Sequence, residues 1–325
     1  LTMDFNSEAV IAEEFMKFLM NGSLYQGSKP VMWSVVEKTA LAEAEVEYHE
    51  HQSHTIWVKF PVVKAAHGPS PLDEPDDFVG FGSDLLVEQL MEAQVVIWTT
   101  TPWTIPQNRA VCFNPDLSYG LYRVVEAAED NWAKTDDTYL LADRLADDVM
   151  EKARVAKWEK VRDVSADELE RITCAHPLRG VEGGNGEWDF DVPMLPGDHV
   201  TDDAGTGFVH TAPSHGADDY VIGQKHGLPM TYNVLEDGSF RADLPLFGGA
   251  VIFDHKGKEK DANKRVIDKL AEVGGLIARG RVKHSYPHSW RSKAPLIFRN
   301  TPQWFVAIDK PLDDGHGELG ETIRK

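Results

Sequence analysis

The chain is organised around one stretch, Trp98-Thr99-Thr100-Thr101-Pro102-Trp103-Thr104-Ile105-Pro106-Gln107-Asn108. Residues 93–97 just before it are mostly apolar and β-branched, which predicts a buried strand. Pro102 and Pro106 disfavour both a helix and further strand pairing, so the threonines are expected at a strand end that opens into a rigid turn. Hydroxyls held there can donate and accept hydrogen bonds, which suits a binding pocket. A threonine-rich strand end that satisfies its own backbone would use the same residues, and this alternative stays open.

The composition is that of a soluble globular protein. With 325 residues, 42% of them hydrophobic and 26% charged, the chain can bury the core of one large or two modest domains. A net charge of -20 argues against an extended nucleic-acid-binding face, although a local basic patch is compatible with it. Two cysteines, Cys112 and Cys174, allow at most one disulfide, which favours a reducing cytoplasm. There is no apolar run long enough for a bilayer and no signal segment, and the start at Leu1 suggests a fragment.

The hydrophobic pattern predicts many short strands and fewer helices. Helices are expected at residues 7–20, 83–92, 143–157 and 261–273, and from residue 217 to a stop at Gly227. The apolar face of the 261–273 helix is expected to contain Val266, Ile267, Leu270 and Val273. Strands are expected at residues 42–48, 56–62, 93–97, 110–113, 119–125 and 138–141, and a loop rich in glycine and proline at residues 67–77. The mixture favours the α+β class, with an antiparallel or mixed β-barrel surrounded by helices.

A second segment strengthens the interpretation of the threonine stretch as a site: Gly205-Thr206-Gly207-Phe208-Val209-His210-Thr211-Ala212-Pro213-Ser214-His215-Gly216-Ala217-Asp218-Asp219-Tyr220. The two segments together resemble the editing domain that is inserted in isoleucyl-tRNA synthetases. The related valyl and leucyl enzymes are expected to carry Thr-Thr-Arg-Pro here, so Thr101-Pro102-Trp103 favours the isoleucyl branch. Residues 29–34, 39–45, 286–291 and 301–305 agree as well, so the resemblance covers nearly the whole chain.

The resemblance implies a division of the chain. Residues 1–50 and 285–325 correspond to ribbon segments that connect to a parent catalytic domain, and residues 51–284 correspond to the β-barrel editing domain. The family's His-Ile-Gly-His and Lys-Met-Ser-Lys-Ser signatures for ATP are absent from this chain. We therefore expect no amino-acid activation and no cofactor here, because ATP and Mg²⁺ serve the parent enzyme.

No metal site is expected. Some relatives bind structural zinc through Cys-x-x-Cys pairs in the ribbons, but this chain has serines there, in segments 34–37 and 289–292. Serine hydroxyls cannot replace thiolates in a tetrahedral zinc site. His49, His51 and His54 form a second conceivable cluster, but no cysteine or carboxylate cage surrounds them in the sequence.

The resemblance also implies the roles of individual residues. Asp219 is expected to bind the substrate's α-ammonium group, while its neighbour Asp218 is not. His210 is expected to form a wall of the side-chain pocket. The remaining residues implied to contact substrate are Trp98, Thr99, Thr100, Thr101 and Asn108. Asp219, Thr100, Thr101 and His210 form the expected catalytic set, with direct attack by water and with His210 or His215 as an open choice of general base.

The implied reaction is hydrolysis of valyl-tRNA(Ile), and possibly of valyl-adenylate. Valine is isoleucine minus one methylene, and a hydrophobic pocket separates them by only about 1 to 3 kcal/mol, a limit already known for this class of enzyme. The expected partners are the tRNA(Ile) 3′ end carrying valine and, as a small molecule, valine or valyl-adenylate, bound by a monomer without any membrane contact.

Two other function classes stay open at this point. One is a metal-dependent hydrolase whose ligands would be His210, His215, Asp218 and Asp219. The proline and glycine within residues 212–216 disfavour it, because they prevent a helix that presents both imidazoles on one face. The other is a non-catalytic tRNA-binding module, which the acidic charge disfavours.

Overall fold

The computed structural model of the protein describes residues 2–66 and 81–308, with side chains described except at residues 81–85. The helices are α1 (Phe5–Met20), α2 (Phe81–Met91), α3 (Ala146–Lys152), α4 (Ala166–Leu169), α5 (Ala217–His226) and α6 (Ala262–Glu272). The strands are β1 (Leu24–Ser34), β2 (Thr39–Ala40), β3 (Val46–Lys64), β4 (Ala93–Thr99), β5 (Ala110–Phe113), β6 (Tyr119–Ala127), β7 (Thr138–Ala142), β8 (Val155–Val164), β9 (Thr173–Ala175), β10 (Asp191–Pro196), β11 (Phe208–Thr211), β12 (Leu276–Ser289) and β13 (Ile297–Val306).

The large sheet is mixed, which confirms the α+β prediction. Its strand order is β11-β5-β10-β9-β3-β4-β7-β6-β8, with β12 paired to β3, and β13, β1 and β2 form a smaller sheet. The pairs β4/β7 and β5/β10 are parallel, while the other described pairs are antiparallel.

The strand pairing that the structure describes does not by itself close the sheet into the expected β-barrel. Among the described residues, the pairing is an open path from β11 to β8. A backbone hydrogen bond from Ala142 N to Thr206 O (2.9 Å) joins the start of β11 back to β7. Gly205 and Gly207 flank that bond with φ of 88° and 80°, in the left-handed region that glycine adopts without a steric penalty.

The chain divides into two compact units. The first comprises residues 1–30 and 300–325, and the second comprises residues 31–299. In the first unit, α1 has no buried side chain within the described residues. The second unit contains the main hydrophobic core, formed mainly by one face of β3, β4 and β5 together with α6. The division at residues 50 and 285 that the resemblance implies stays a prediction.

Two predicted elements are wrong at one end. The helix expected at residues 143–157 stops at Lys152, because the Asn131 amide donates to the Ala153 carbonyl (2.7 Å) and Arg154 takes a φ of 53°. The strand expected at residues 42–48 begins only at Val46. Residues 43–45 form a 3₁₀ turn, in which the Glu45 carboxylate accepts a hydrogen bond from Ala42 N (3.0 Å).

The other helix predictions are confirmed, with one exception in a side chain. The helices at residues 7–20, 83–92, 217–226 and 261–273 correspond to α1, α2, α5 and α6. Val273 follows the end of α6 and is 37% exposed, so it does not share the buried face of that helix. The loop expected at residues 67–77 lies outside the described residues. Within the described part of the chain, no helix is both long and apolar enough to cross a membrane.

Candidate functional site

The threonine stretch forms the end of β4 and the 3₁₀ turn Pro102–Gln107 that follows it. The Thr99 hydroxyl accepts from Thr101 N (3.1 Å) and lies 3.2 Å from the Thr101 hydroxyl. The Thr104 hydroxyl donates to the Thr101 carbonyl oxygen (2.8 Å). Two of the three hydrogen bonds therefore use backbone groups, so part of this turn does satisfy its own backbone.

The two signature segments meet at His210 of β11. Its Nε2 lies 2.9 Å from the Thr104 hydroxyl, and its Nδ1 lies 3.3 Å from the Asn108 amide nitrogen. Because the Thr104 hydroxyl hydrogen is used on Thr101 O, the geometry assigns the proton of the imidazole to Nε2 and leaves Nδ1 as an acceptor. Burial lowers the pKa of His210 to about 4, with a further contribution from His215. At neutral pH this ring is therefore uncharged and has both nitrogens engaged.

His215 differs from His210 in having one unengaged nitrogen. Its Nδ1 donates to the Phe298 carbonyl oxygen (2.8 Å), and its ring meets the Trp103 ring edge-on at 5.0 Å. Nε2 must then be the unprotonated nitrogen, and it is buried without a partner among the described residues. Burial lowers the pKa of His215 to about 4, against the hydrogen bond to Phe298. Of the two imidazoles, His215 is the one with a lone pair available to accept a proton.

Asp218 and Asp219 lie in the first turn of α5 but have different surroundings. Asp218 is exposed, whereas Asp219 is half-buried and accepts a hydrogen bond from Ala212 N (2.8 Å). Gly216 permits this approach, because a Cβ there would lie 3.0 Å from the Asp219 carboxyl carbon. Burial raises the pKa of Asp219 to about 7, and the charge of Asp218 adds to the rise. Asp219 is thus a carboxyl group that a bound cation would drive to the ionised form.

Thr100 and Thr101 line a small cavity together with Trp103, Glu259 and Asn263. Its volume is about 10 Å³, which is about the space of one water molecule.

Trp98 lies apart from the hydrogen-bonded group. Successive residues of a strand point to opposite faces, so Trp98 faces away from Thr99. Its ring packs at 6.3 Å from that of Trp57 and contacts Gly205. Thr99, Thr101, Asn108 and His210 share the network, whereas Trp98 and Asp219 are outside it, and the roles of all these residues stay predictions.

Two residues of the site were not singled out in the sequence. Thr104 holds His210, and Asn263 of α6 accepts from Trp103 N with its Oδ1 (3.0 Å). Asn263 also donates to the Glu259 carboxylate (2.7 Å). The sequence does contain a signal for it, because position 263 falls on the same helical face as the buried Val266 and Ile267. A polar residue on an apolar helix face commonly has a specific partner.

Asn263→Leu is expected to destabilise the protein by about 1 to 3 kcal/mol, because the buried Trp103 N–H would lose its acceptor. The free energy of unfolding, measured in urea, checks this. Lys264→Ala is the matched control, since its exposed side chain on the next residue should change that free energy by less than about 0.5 kcal/mol. Equal changes in the free energy of unfolding for the two substitutions would show that the hydrogen bond from Trp103 N to Asn263 does not stabilise the protein.

Three residues of the metal-hydrolase alternative, His210, His215 and Asp219, make hydrogen bonds to other groups. Within residues 2–66 and 81–308, no three His, Cys, Asp or Glu side chains lie close enough together to hold a metal ion, and this includes His49, His51 and His54. Three serines of the two ribbon segments, Ser34, Ser289 and Ser292, surround the Glu37 carboxylate, which accepts from the Ser289 hydroxyl (3.1 Å). Burial opposes the charge on Glu37, but hydrogen bonds from Ser34, Ser292 and Ser289 outweigh it and hold the pKa below its usual value.

Acid is expected to destabilise the protein through its buried histidines. Burial lowers the pKa of His176 to about 3 and those of His210 and His215 to about 4, whereas an unfolded histidine titrates near about 6.5. Stability is therefore lost as pH falls from about 6.5 towards 4, because the unfolded chain binds up to three extra protons. Asp219 offsets one of these three protons. Its raised pKa lets the folded state, but not the unfolded state, bind a proton in this pH range, which stabilises the folded state.

The net effect near pH 5.5 should be on the order of 2 kcal/mol per pH unit. Urea unfolding at pH 7 and pH 5.5 measures it, and His176→Gln should make the pH dependence less steep. A urea midpoint of unfolding that does not change between these two pH values would show that these histidines are not buried as described.

Comparison with known proteins places the chain in a family. Residues 1–321 match the family model described as tRNA synthetases class I (I, L, M and V). The chain is 56% identical to an isoleucine-tRNA ligase of Ruegeria pomeroyi, over 100% of this chain and 32% of that protein. It is 53% identical to an isoleucine-tRNA ligase of Bradyrhizobium diazoefficiens, over 99% of this chain and 31% of that protein. The chain thus spans about a third of the length of these curated relatives.

Solved structures give weaker likenesses. The editing domain of the P. falciparum cytosolic leucyl-tRNA synthetase aligns at a TM-score of 0.35 and 12% identity, covering 54% of this chain and 67% of that one. The corresponding P. knowlesi domain aligns at a TM-score of 0.35 and 13% identity, covering 55% of this chain and 66% of that one. The family model, by contrast, matches nearly the whole sequence, and the chain belongs to the class I tRNA synthetases of the I, L, M and V group.

Proposed function

We propose that this chain is the editing module of an isoleucine-tRNA ligase and that it hydrolyses valyl-tRNA(Ile). The observation that carries the proposal is the hydrogen bond between Thr104 and His210, 106 positions apart, which joins the two segments that resemble the editing domain. The similarity to isoleucine-tRNA ligases supports the choice of amino acid.

The proposed chemistry is attack of water on the aminoacyl ester. The water oxygen bonds to the carbonyl carbon, the ester C–O bond breaks, and the ribose oxygen leaves with a proton. Asp219 binds the α-ammonium group of the substrate, and this cation lowers its pKa from about 7 so that the carboxylate is ionised in the complex. Thr99, Thr100 and Thr101 supply hydrogen bonds to the terminal adenosine and the carbonyl group.

Of the two candidate bases, only one has a ring nitrogen without a hydrogen-bond partner among the described residues. His210 has both ring nitrogens engaged, so it serves as a wall and not as a base. His215 offers Nε2 as the acceptor for the proton of the attacking water.

The test is the release of valine from valyl-tRNA(Ile) by this 325-residue chain, with isoleucyl-tRNA(Ile) as the control substrate. We expect faster release of valine, without added metal, and no isoleucine-dependent ATP-pyrophosphate exchange. Absence of valine release, or equal release from both substrates, would overturn the proposal. Loss of hydrolysis after treatment with EDTA would favour the metal-dependent alternative.

A further inference from the structure

One face of the ribbon formed by β3 and β12 carries four histidines. Side chains alternate between the two faces of a strand, so His49 and His51 share a face of β3. In the register of the ribbon, His284 lies opposite His51, and His288 lies opposite Glu47. We call His49, His51, His284 and His288 the histidine face. Two of its members come from a strand that is distant in the sequence, so the group exists only in the folded protein.

The rings of the histidine face lie close together. The ring centroid of His288 is 5.2 Å from that of His49 and 5.7 Å from that of His51. The Tyr286 ring packs against the group, with its centroid 4.9 Å from that of His51. Burial lowers the pKa of His51, and the neighbouring His288 lowers it further. Closely spaced imidazoles oppose each other's protonation, so the group favours the neutral form, which is the form that binds metal ions.

His49 and His288 each use one ring nitrogen in a hydrogen bond to an oxygen atom. Nε2 of His49 lies 3.1 Å from the Glu47 carboxylate, which can only accept, so the proton of the neutral ring is on Nε2. Nδ1 of His288 donates to the Tyr286 carbonyl oxygen (2.8 Å). His49 Nδ1 and His288 Nε2 therefore carry lone pairs, and neither makes a hydrogen bond within residues 2–66 and 81–308.

This hydrogen bonding is the arrangement found around metal-binding histidines. Such a histidine almost always donates its second ring N–H to a carboxylate or a backbone carbonyl group, which fixes the tautomer and orients the ring. His49 has the carboxylate of Glu47 as this acceptor, and His288 has the carbonyl group of Tyr286. Both imidazoles are thus held in the protonation state that a metal ion requires.

The spacing of the two rings also suits one shared ion. Two imidazoles that bind a tetrahedral ion through nitrogens about 2.0 Å from it have ring centroids roughly 5 Å apart, close to the 5.2 Å between His49 and His288. His288 is buried, with 7% of its surface exposed, whereas His49 is exposed, so its ring can adjust to an ion held by His288.

The pair is separate from the serine segments at the end of the ribbon. His288 and Ser289 are neighbours on β12, so their side chains point to opposite faces. The Ser289 hydroxyl donates to Glu37, and this carboxylate lies with the serines. Imidazole nitrogens favour Zn²⁺ and similar transition-metal ions, whereas Mg²⁺ and Ca²⁺ prefer oxygen ligands.

We propose that His49 and His288 bind one Zn²⁺ ion across the β3–β12 ribbon. The two imidazoles supply two ligands, and water completes the coordination, because no third His, Cys, Asp or Glu converges with them in the part of the chain that the structure describes. The ion joins the two strands near the end of the ribbon at which Val46 pairs with Ser289, and so it stabilises that end. This site is independent of the proposed function.

The test is the binding of Zn²⁺ to the 325-residue chain, measured by isothermal titration calorimetry in a buffer that does not chelate metals, with Mg²⁺ as the control ion. His49→Gln and His288→Gln each remove one ligand, and Glu47→Gln removes the carboxylate that orients His49. The matched control is His54→Gln, a histidine on the same strand whose side chain points to the other face.

We expect one Zn²⁺ per wild-type chain and no binding of Mg²⁺. His49→Gln and His288→Gln should each weaken Zn²⁺ binding by about 100-fold and Glu47→Gln by about 10-fold, while His54→Gln keeps the wild-type affinity. Saturating Zn²⁺ should raise the urea midpoint of unfolding of the wild type but not that of His49→Gln. Because His288 is buried, urea unfolding first establishes that His288→Gln is folded, and the exposed His49→Gln decides the test if it is not.

Three results would overturn the proposal. The first is a wild-type chain that does not bind Zn²⁺, and the second is wild-type affinity in His49→Gln. The third is Zn²⁺ binding that His215→Gln removes and His49→Gln keeps, because this would assign the ion to the candidate functional site and not to the ribbon.

Discussion

Asp219→Ala is expected to reduce kcat/KM for release of valine from valyl-tRNA(Ile) by about 100-fold or more, and Asp218→Ala by much less. Adjacent helical residues point about 100° apart, so only one of the two can face the ammonium group. Asp219 is the half-buried one and is held by Ala212 N, whereas Asp218 is exposed. Loss of one partner of a desolvated charge pair costs about 2 to 5 kcal/mol, which sets the expected size of the effect.

Two kinds of measurement serve as controls for this result: the stability of the variants and the pH dependence of kcat/KM. Circular dichroism and urea unfolding should show that both variants fold. With the wild type, kcat/KM should rise as the pH is raised through about 7, because Asp219 must lose its proton to bind the cation. Asp219→Asn should lack this rise. Greater sensitivity at Asp218 would mean that the assignment of residues in the second segment is off by one position.

His210→Ala is expected to lower the selectivity for valyl-tRNA over isoleucyl-tRNA by about 10-fold or more. In the proposed complex, the imidazole occupies the space that the extra methylene of isoleucine would need, and overpacking of that space costs about 1 to 3 kcal/mol. Selectivity is the ratio of the two kcat/KM values, and it should fall even if both rates decrease. The engagement of both ring nitrogens and the pKa of about 4 support this steric role.

The ratio also distinguishes a steric role of His210 from a role as general base. Loss of a general base would lower kcat/KM for both substrates by a similar factor and leave their ratio unchanged. An unchanged ratio would therefore refute the steric account. His176→Ala is the matched control. His176 is also buried and contacts the same turn through the Ile105 carbonyl oxygen (2.9 Å), so it reproduces the loss of packing without opening the pocket.

Local patterns in the sequence predict most of the helices and strands, since periodicity and stop residues are properties of neighbouring positions. The errors arise where a residue distant in the sequence determines the end or the pairing of an element. The end of α3 depends on Asn131, 22 positions before the carbonyl group that it caps. The hydrogen bond that joins residues 205–207 to Ala142 is likewise contained in no local pattern.

The candidate site shows the same limit. The resemblance identifies the two segments, and the structure brings His210 and Asn108 together as one hydrogen-bonded group with the threonine turn. The role of Asn263 comes from a helix 160 positions away from the turn that it supports, so it follows only from the tertiary structure. Likewise, the difference between His210 and His215 depends on which ring nitrogen has a partner.

The pairing of β3 with β12 has a consequence for the order of folding. Glu50 and Lys283 lie on opposite strands of this ribbon and are 233 positions apart in the chain. Closing a loop of that length costs about 5 kcal/mol of chain entropy, so the ribbon should form late, after the intervening chain has become compact. At a synthesis rate of about 5 to 20 residues per second, the first part of β3 waits on the order of ten seconds or more on the ribosome for its partner strand. During that time residues 46–55 are an unpaired edge open to wrong partners, and the many charged and histidine side chains there, such as Glu47, His49 and Glu50, disfavour such pairing.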